Sequence, residues 1–287
     1  MKKHVVFLSL FLVLIMMATM LGGCGGSSKK PDAGAKSAAT AKNPPKIAEP
    51  TKTVDPKANL NADITIVQQL DMVSFDPIAT SDLSNRYIIT NIYSYLFAQD
   101  RYLNSTPELA KSYKRLNDST WQFEIHKGVK THDGKELTAD DVVYSLQRTQ
   151  KGTAIGALFK PVDKISKVDD YTIQITTFGP YPALPTALTH VSCGIVPKHY
   201  LEKAEASKDW SNPIGTGRYK FKSRIIGDSV VMERFDGYFN KDDKALNKSL
   251  TFKIIPEGSG RTIAVETKKA DLNVVFDTVD YDRVVGN

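Results

Sequence analysis

Everything able to build a core in this chain lies after residue 60. Residues 25–60 are Gly, Ser, Ala, Lys and Pro with almost no aromatic or branched apolar side chains. Such a segment buries too little surface to offset its chain entropy, so it reads as a tether, part flexible and part extended at Asn43-Pro44-Pro45-Lys46. Order is expected from Asp63 onward, where alternating and helically spaced apolar residues begin.

The segment before the tether reads as an export signal. Lys2 and Lys3 form a positive start, and Val5 to Leu21 an almost unbroken apolar run. As a helix these residues would span about 25 Å, short of the roughly 30 Å hydrocarbon core; a tilted transmembrane anchor is the alternative. Leu21-Gly22-Gly23-Cys24 closely resembles the bacterial lipoprotein box. The resemblance implies cleavage after residue 23 and acylation of Cys24, and two or three acyl chains anchor stably where one would not. Acylation would leave Cys193 alone, since the chain has 2 cysteines. No internal disulfide is then possible, and Cys193, within an apolar stretch, is expected to be a buried small hydrophobe.

The charge follows the same division. The formal net charge is +6, and residues 1–60 hold nine lysines against Asp32, Glu49 and Asp55, a balance of 9 − 3 = +6. The remainder is neutral, 29 basic against 29 acidic residues, and lacks the electrostatic footprint of a nucleic-acid-binding protein.

Along the body, the pattern predicts a strand over Ile64 to Gln68 and a helix over 85–97. A hairpin is expected around Asn117-Asp118, with Trp121, Phe123 and Ile125 on one strand face. Asp133-Gly134 signals a turn. Thr138 with Asp141 resembles a capping box opening a helix to about Arg148. A second hairpin turns at Asp169-Asp170, short helices are expected over 182–193 and after Pro197, and two strands over 215–239. A strand over 249–257, a helix after a glycine turn at 258–260 and a final strand over 271–276 complete the reading. No period repeats. Strands and helices mix without regular alternation, which predicts a mixed α/β (α+β) architecture from discontinuous units.

No G-x-S-x-G elbow, H-E-x-x-H or phosphate loop occurs. His126, His132 and Asp133 are close enough in sequence to consider as metal ligands, with a solvated hairpin as the alternative; no metal or other cofactor is expected. Tyr87, Tyr93, Tyr95 and Phe97 sit at mixed helical positions, most of them for the core, one or two to line a cleft. Pattern alone reaches an exported, lipid-tethered α/β protein without an evident active site.

The stretch from Pro107 to Arg148, with its Lys-Gly-Val, His-Asp-Gly turn and Leu-Thr-Ala-x-Asp-Val before a helix, resembles the signature region of the peptide/nickel-type extracellular solute-binding proteins of ABC importers. Four further segments agree in order: 74–82 with 91–97, 194–203, 213–221 and 261–275. The resemblance implies a lobe of the type II periplasmic-binding-protein kind, a discontinuous first lobe (61–105 and 206–287) with an inserted subdomain (106–205). The chain is expected to be an N-terminal fragment whose second lobe is missing. It further implies a binding protein, not an enzyme, and a monomer that captures di- and oligopeptides on the extracytoplasmic face and delivers them to an ABC permease and ATPase. Other cargo (nickel chelate, oligosaccharide, haem) and a peptide-sensing lipoprotein uncoupled from transport are the alternatives. A secreted hydrolase is disfavoured, as no nucleophile–base pair stands out.

In this family the loop after the first strand faces the ligand, here Gln69, Leu70, Asp71 and Met72. Asp71 is a candidate to hold an amine or orient a backbone amide, with an ordinary loop cap as the alternative. Thr216 and Gly217 are expected to be structural. The sequence departs from the family at Arg218, where proline is usual after Gly-Thr-Gly; arginine adopts the same backbone angle at some entropic cost.

Overall fold

The computed structural model describes residues 61–281, so Cys24 and the leader and tether expected before it lie outside the described residues. Two sheets organise the described chain. The first has strand order β11-β1-β10-β9-β8 and the second β4-β5-β7-β6, with a small β2–β3 pair between them in sequence. The strands are β1 (Asp63–Gln68), β2 (Phe97–Gln99), β3 (Ser105–Pro107), β4 (Ala110–Asn117), β5 (Thr120–Ile125), β6 (Val162–Asp169), β7 (Thr172–Thr177), β8 (Tyr219–Ile225), β9 (Ser229–Arg234), β10 (Ser249–Ile254) and β11 (Leu272–Asn273). The α-helices are α1 (Leu83–Ile92), α2 (Ala139–Lys151), α3 (Leu184–Ala187), α4 (Lys198–Ser207) and α5 (Gly258–Glu266). Among the described residues no helix is long and apolar enough to cross a membrane.

The four-stranded sheet is antiparallel throughout. Trp121 faces Ile175 and Phe123 faces Ile173 across β5–β7, so alternation puts these side chains on one face. Helix α2 covers that face with Val142 and Leu146, each fully buried aliphatic side chain contributing about 1.5–3 kcal/mol. The helix starts as the spacing predicts: the Thr138 N–H donates to Asp141 Oδ2 at 2.8 Å. Edge strand β4 is exposed beyond Ala110 and carries Lys111, Lys114 and Arg115, charges that discourage pairing with another chain.

In the five-stranded sheet, β1 runs parallel to β10 and β11, and β9 antiparallel to both β10 and β8. Ile66, Val230, Met232, Leu250 and Phe252 form a second core with Ile88, Ile89 and Ile92 of α1.

Helix α1 stops at Ile92 and does not continue to Phe97. Tyr93 is extended, Ser94 bridges Ile195, and the Tyr95 N–H donates to Glu108 Oε2 at 3.0 Å. Backbone pairing with distant segments outweighs the helical spacing of the aromatics, and Tyr93, Tyr95 and Phe97 are core. The glycines at 258–260 form the first turn of α5 rather than a turn before it. The last strand is two residues long, shorter than its sequence suggests.

Candidate functional site

Three parallel strands end side by side. Gln68 of β1 lies opposite Ile254 of β10, Asn273 of β11 pairs with Val67, and the β8–β9 turn meets the same end, where the Ile254 N–H donates to the Asp228 carbonyl at 2.8 Å. In open sheets with parallel strands, ligands bind in crevices outside the carboxyl ends of those strands. Four loops converge there, those after β1, between β8 and β9, after β10 and after β11.

Asp71 joins the first two. Its Oδ1 accepts from the Met72 N–H at 2.7 Å. Its Oδ2 accepts from Arg224 Nη2 at 3.0 Å and from the Gly227 N–H at 2.9 Å. Arg224 also donates to the Met72 carbonyl at 2.5 Å. The four residues singled out in the sequence therefore separate. Met72 is buried beneath the rim, Asp71 is occupied in fastening two loops, and Gln69 and Leu70 are exposed. Leu70 (59% exposed) and Val73 (69%) on one loop, with Ile225 (64%) and Ile226 (82%) on the other, give this end an apolar rim.

Below the rim lie polar atoms without a hydrogen bond among the described residues: Gln68 Oε1, Arg224 Nε and Asn273 Nδ2. Buried polar atoms are nearly always paired, so three at one end of one sheet mark a place suited to a polar ligand or a further protein surface.

The other two loops are stapled by Arg261, which is fully buried. It donates to the Ile255 and Pro256 carbonyls at 2.9 and 2.6 Å, to the Val275 carbonyl at 3.2 Å, and to Asp277 Oδ1 at 3.1 Å. Sequence reasoning named Arg261 only as part of a motif. Its role depends on contacts with two separate loops.

The signature residues act likewise as fasteners. His132 has its Nδ1 accepting from the Gly215 N–H at 3.2 Å and its Nε2 donating to the Gly217 carbonyl at 3.1 Å. That pairing requires the neutral ring. Burial lowers the His132 pKa to about 4, against the smaller opposing effect of the Gly217 bond. His132 is thus locked and not part of a solvated hairpin, and Asp133 accepts from His199 at 2.8 Å. Among the described residues no group of three or more His, Cys, Asp or Glu side chains is placed to hold a metal ion. Asp141 ties the start of α2 to that of α4, accepting from the Lys198 N–H at 2.8 Å. Cys193 is buried, which pushes its thiol pKa well up.

Arg218 is held by its side chain. It donates to the Asp243 carbonyl at 2.9 Å, pairs with the Asp243 carboxylate, and lies 5.2 Å from the Tyr238 ring centroid. Its guanidinium is 4.0 Å from Glu108, a carboxyl whose pKa burial raises against that charge.

The sequence matches the family described as bacterial extracellular solute-binding proteins, family 5 middle region, over residues 104–285. It is 28% identical over 285 residues to the oligopeptide-binding protein AppA of Bacillus subtilis, covering 95% of this chain and 48% of that protein. It is 29% identical over 212 residues to the glutathione-binding protein GsiB of Pectobacterium atrosepticum, covering 72% of this chain and 41% of that one. The solved structure of AppA with a nonapeptide superposes with a TM-score of 0.70 over 78% of this chain and 45% of AppA. NikZ of Campylobacter jejuni with Ni(L-His), 26% identical, gives 0.67 over 77% of this chain and 44% of NikZ. The arrangement is the mixed α/β fold of type II periplasmic binding proteins. The chain spans about half the length of the curated relatives it matches.

Proposed function

This chain belongs to the bacterial extracellular solute-binding proteins of family 5, a family of binding proteins rather than enzymes, and on that footing we propose that it captures di- and oligopeptides outside the membrane and delivers them to the permease of an ABC importer. The observation that carries the reading is the 28% identity to AppA along 95% of this chain, together with the nonapeptide in the AppA structure.

In this reading the ligand is received at the carboxyl ends of the parallel strands. The Asp71–Arg224–Gly227 bonds hold two loops in place before the ligand arrives, which lowers the ordering cost of binding. Backbone groups of an extended peptide hydrogen-bond to backbone groups of the rim, giving affinity with little side-chain selectivity. Closure against a second lobe by a hinge then buries the ligand. Residues 61–105 and 206–287 are assigned to the first lobe and 106–205 to a subdomain inserted into it; the two larger sheets fall on either side of that division, while Tyr95, Leu96 and Phe97 join the core of the four-stranded sheet and Val191, Tyr200 and Leu201 that of the five-stranded sheet. Cys24 is the acylated mature N-terminus, and residues 24–60 tether the body to the membrane.

Nickel chelate is the second reading, favoured by the likeness to NikZ with Ni(L-His). Calorimetric titration of the complete gene product with a di- to nonapeptide mixture, and separately with Ni(L-His), distinguishes them. Heat from peptide alone is expected, and heat from the nickel complex alone would reverse the assignment.

A further inference from the structure

The outward face of the five-stranded sheet has a charge asymmetry that ligand capture at the strands' carboxyl ends does not use. Alternation turns Tyr219, Phe221, Met232 and Phe252 toward the core and leaves Lys220, Lys222, Glu233, Ser249 and Thr251 on the opposite side, around an open hollow of about 550 Å³. A second hollow, of about 330 Å³, adjoins it through the shared Arg234 and Asp236 and adds Lys241 and Lys244. With Lys248, six cations face three carboxylates, a local excess of 6 − 3 = +3 on a body that is neutral as a whole. Two of the carboxylates are already taken, Glu233 by Lys220 at 2.9 Å and Asp236 by Arg234 at 2.8 Å. Lys222, Lys244 and Lys248 are exposed, and among the described residues none of them is in an ion pair.

The tether joins the body at this face. Arg234 donates to Asn61 Oδ1 at 3.3 Å, and the Lys248 N–H to the Ala62 carbonyl at 2.9 Å. Asn61 precedes β1, so this end of the sheet is opposite the rim, about 20 Å away along six residues of strand. Residues 24–60 bring seven lysines against three carboxylates of their own.

We infer that this face rests on the anionic phospholipid headgroups of the membrane that holds the tether, with the ligand rim left free at the far ends of the strands. Each basic residue near an anionic leaflet strengthens such an association, over a range set by the Debye length. The inference rests on the proposed acylation of Cys24 for its local concentration at the membrane, and on the charge distribution for its orientation.

The test uses the complete lipidated protein on vesicles of pure phosphatidylcholine and of equimolar phosphatidylcholine and phosphatidylglycerol. Lysine acetylation is read residue by residue by mass spectrometry. Lys222, Lys244 and Lys248 should be modified about five-fold more slowly on the anionic vesicles, high salt should remove the difference, and Lys114 on β4 should not respond. A Lys222→Glu/Lys244→Glu/Lys248→Glu variant with an unchanged thermal midpoint should lose the protection at Lys220. Equal modification on both vesicles, or protection at Lys220 persisting in the variant, overturns the inference. Co-flotation with pure phosphatidylcholine reports the anchor separately. For protein that floats with pure phosphatidylcholine, the difference between vesicle types reports the face.

Discussion

Arg148 grips Asp76 with two parallel hydrogen bonds, Nη1 to Oδ1 at 2.6 Å and Nη2 to Oδ2 at 2.7 Å. The pair links the loop before α1 to helix α2, and both side chains are mostly buried. The same guanidinium donates to Glu205 at 2.5 Å and lies 4.8 Å from the Trp210 ring centroid. Removing Arg148 leaves the Asp76 carboxylate buried without its counter-charge. Arg148→Ala should therefore cost about 3 kcal/mol in urea unfolding. The double variant Asp76→Ala/Arg148→Ala should cost clearly less than the sum of the two single variants. Additive costs would show that the two residues act independently.

His132 gives the fold a pH dependence whose sign follows from its neutral form. Its folded pKa of about 4 lies below the unfolded value near 6.5. Between those values the unfolded chain holds a proton that the folded one does not, so stability rises with pH. The contribution is fully present above pH about 6.5 and is lost as pH falls toward about 4, an effect of about 3 kcal/mol. His190 is depressed too, so the informative quantity is the difference between the parent and His132→Gln. That difference should narrow steadily through this window, and a constant offset would reject the assignment.

The Gly-Thr-Gly turn lies against the backbone at the end of α1, and the Gly217 N–H donates to the Ile92 carbonyl at 2.8 Å. A Cβ at Gly215 would overlap the Ile92 carbonyl, and one at Gly217 the Asn91 carbonyl. Backbone cannot move aside as a flexible side chain can. Gly215→Ala and Gly217→Ala should each cost about 4 kcal/mol or more, read as a large drop in thermal midpoint. Gly134→Ala is a useful contrast: nothing lies within 4 Å of its Cβ position, and only its φ of +87° penalises the change.

These three cases show where the sequence is legible. The hairpins and the start of α2 were readable because their determinants are local: alternation on both sides of Asn117-Asp118, and Thr138 three residues before Asp141. The end of α1 was not, because Ser94 pairs with Ile195, about a hundred residues later, and the Tyr95 N–H with Glu108, beyond the reach of a helical turn. The same limit applies to the site. The loop after β1 could be named from resemblance, but that Asp71 would be taken by Arg224, more than a hundred residues later, has no local signal. Arg218 was visible only as a departure from a motif, and its partners Asp243 and Tyr238 identify it as an anchor for the following loop.

The two cysteines should differ completely in chemistry. Cys24→Ser should abolish incorporation of a fatty-acid analogue and leave the leader uncleaved, as read by intact mass; continued labelling would reject acylation at Cys24. Cys193 should resist a thiol reagent until the protein unfolds, because the thiolate is the reactive form and burial raises its pKa. Rapid labelling of native protein would show that Cys193 is exposed.

Leu70 and Asp71 are neighbours that should respond differently. Leu70 is exposed at the rim, and among the described residues only its backbone carbonyl is used, accepting from Gln68 Nε2 at 2.8 Å. Leu70→Ser should leave the thermal midpoint within about a degree, since surface changes of this kind cost under about 0.5 kcal/mol. It should nonetheless weaken capture of peptides with apolar side chains by about ten-fold or more, because a buried apolar side chain contributes about 1.5–3 kcal/mol. Asp71→Ala removes three hydrogen bonds and frees Arg224, so it should lower stability and affinity together by loosening both loops. Asp71→Asn keeps the shape and part of the bonding and should fall between the two. If Leu70→Ser changed stability but not affinity, the ligand surface would have to be sought elsewhere on the sheet. If Asp71→Ala abolished binding with no loss of stability, Asp71 would be a direct ligand contact and not the fastener its bonds to Arg224 and Gly227 make it.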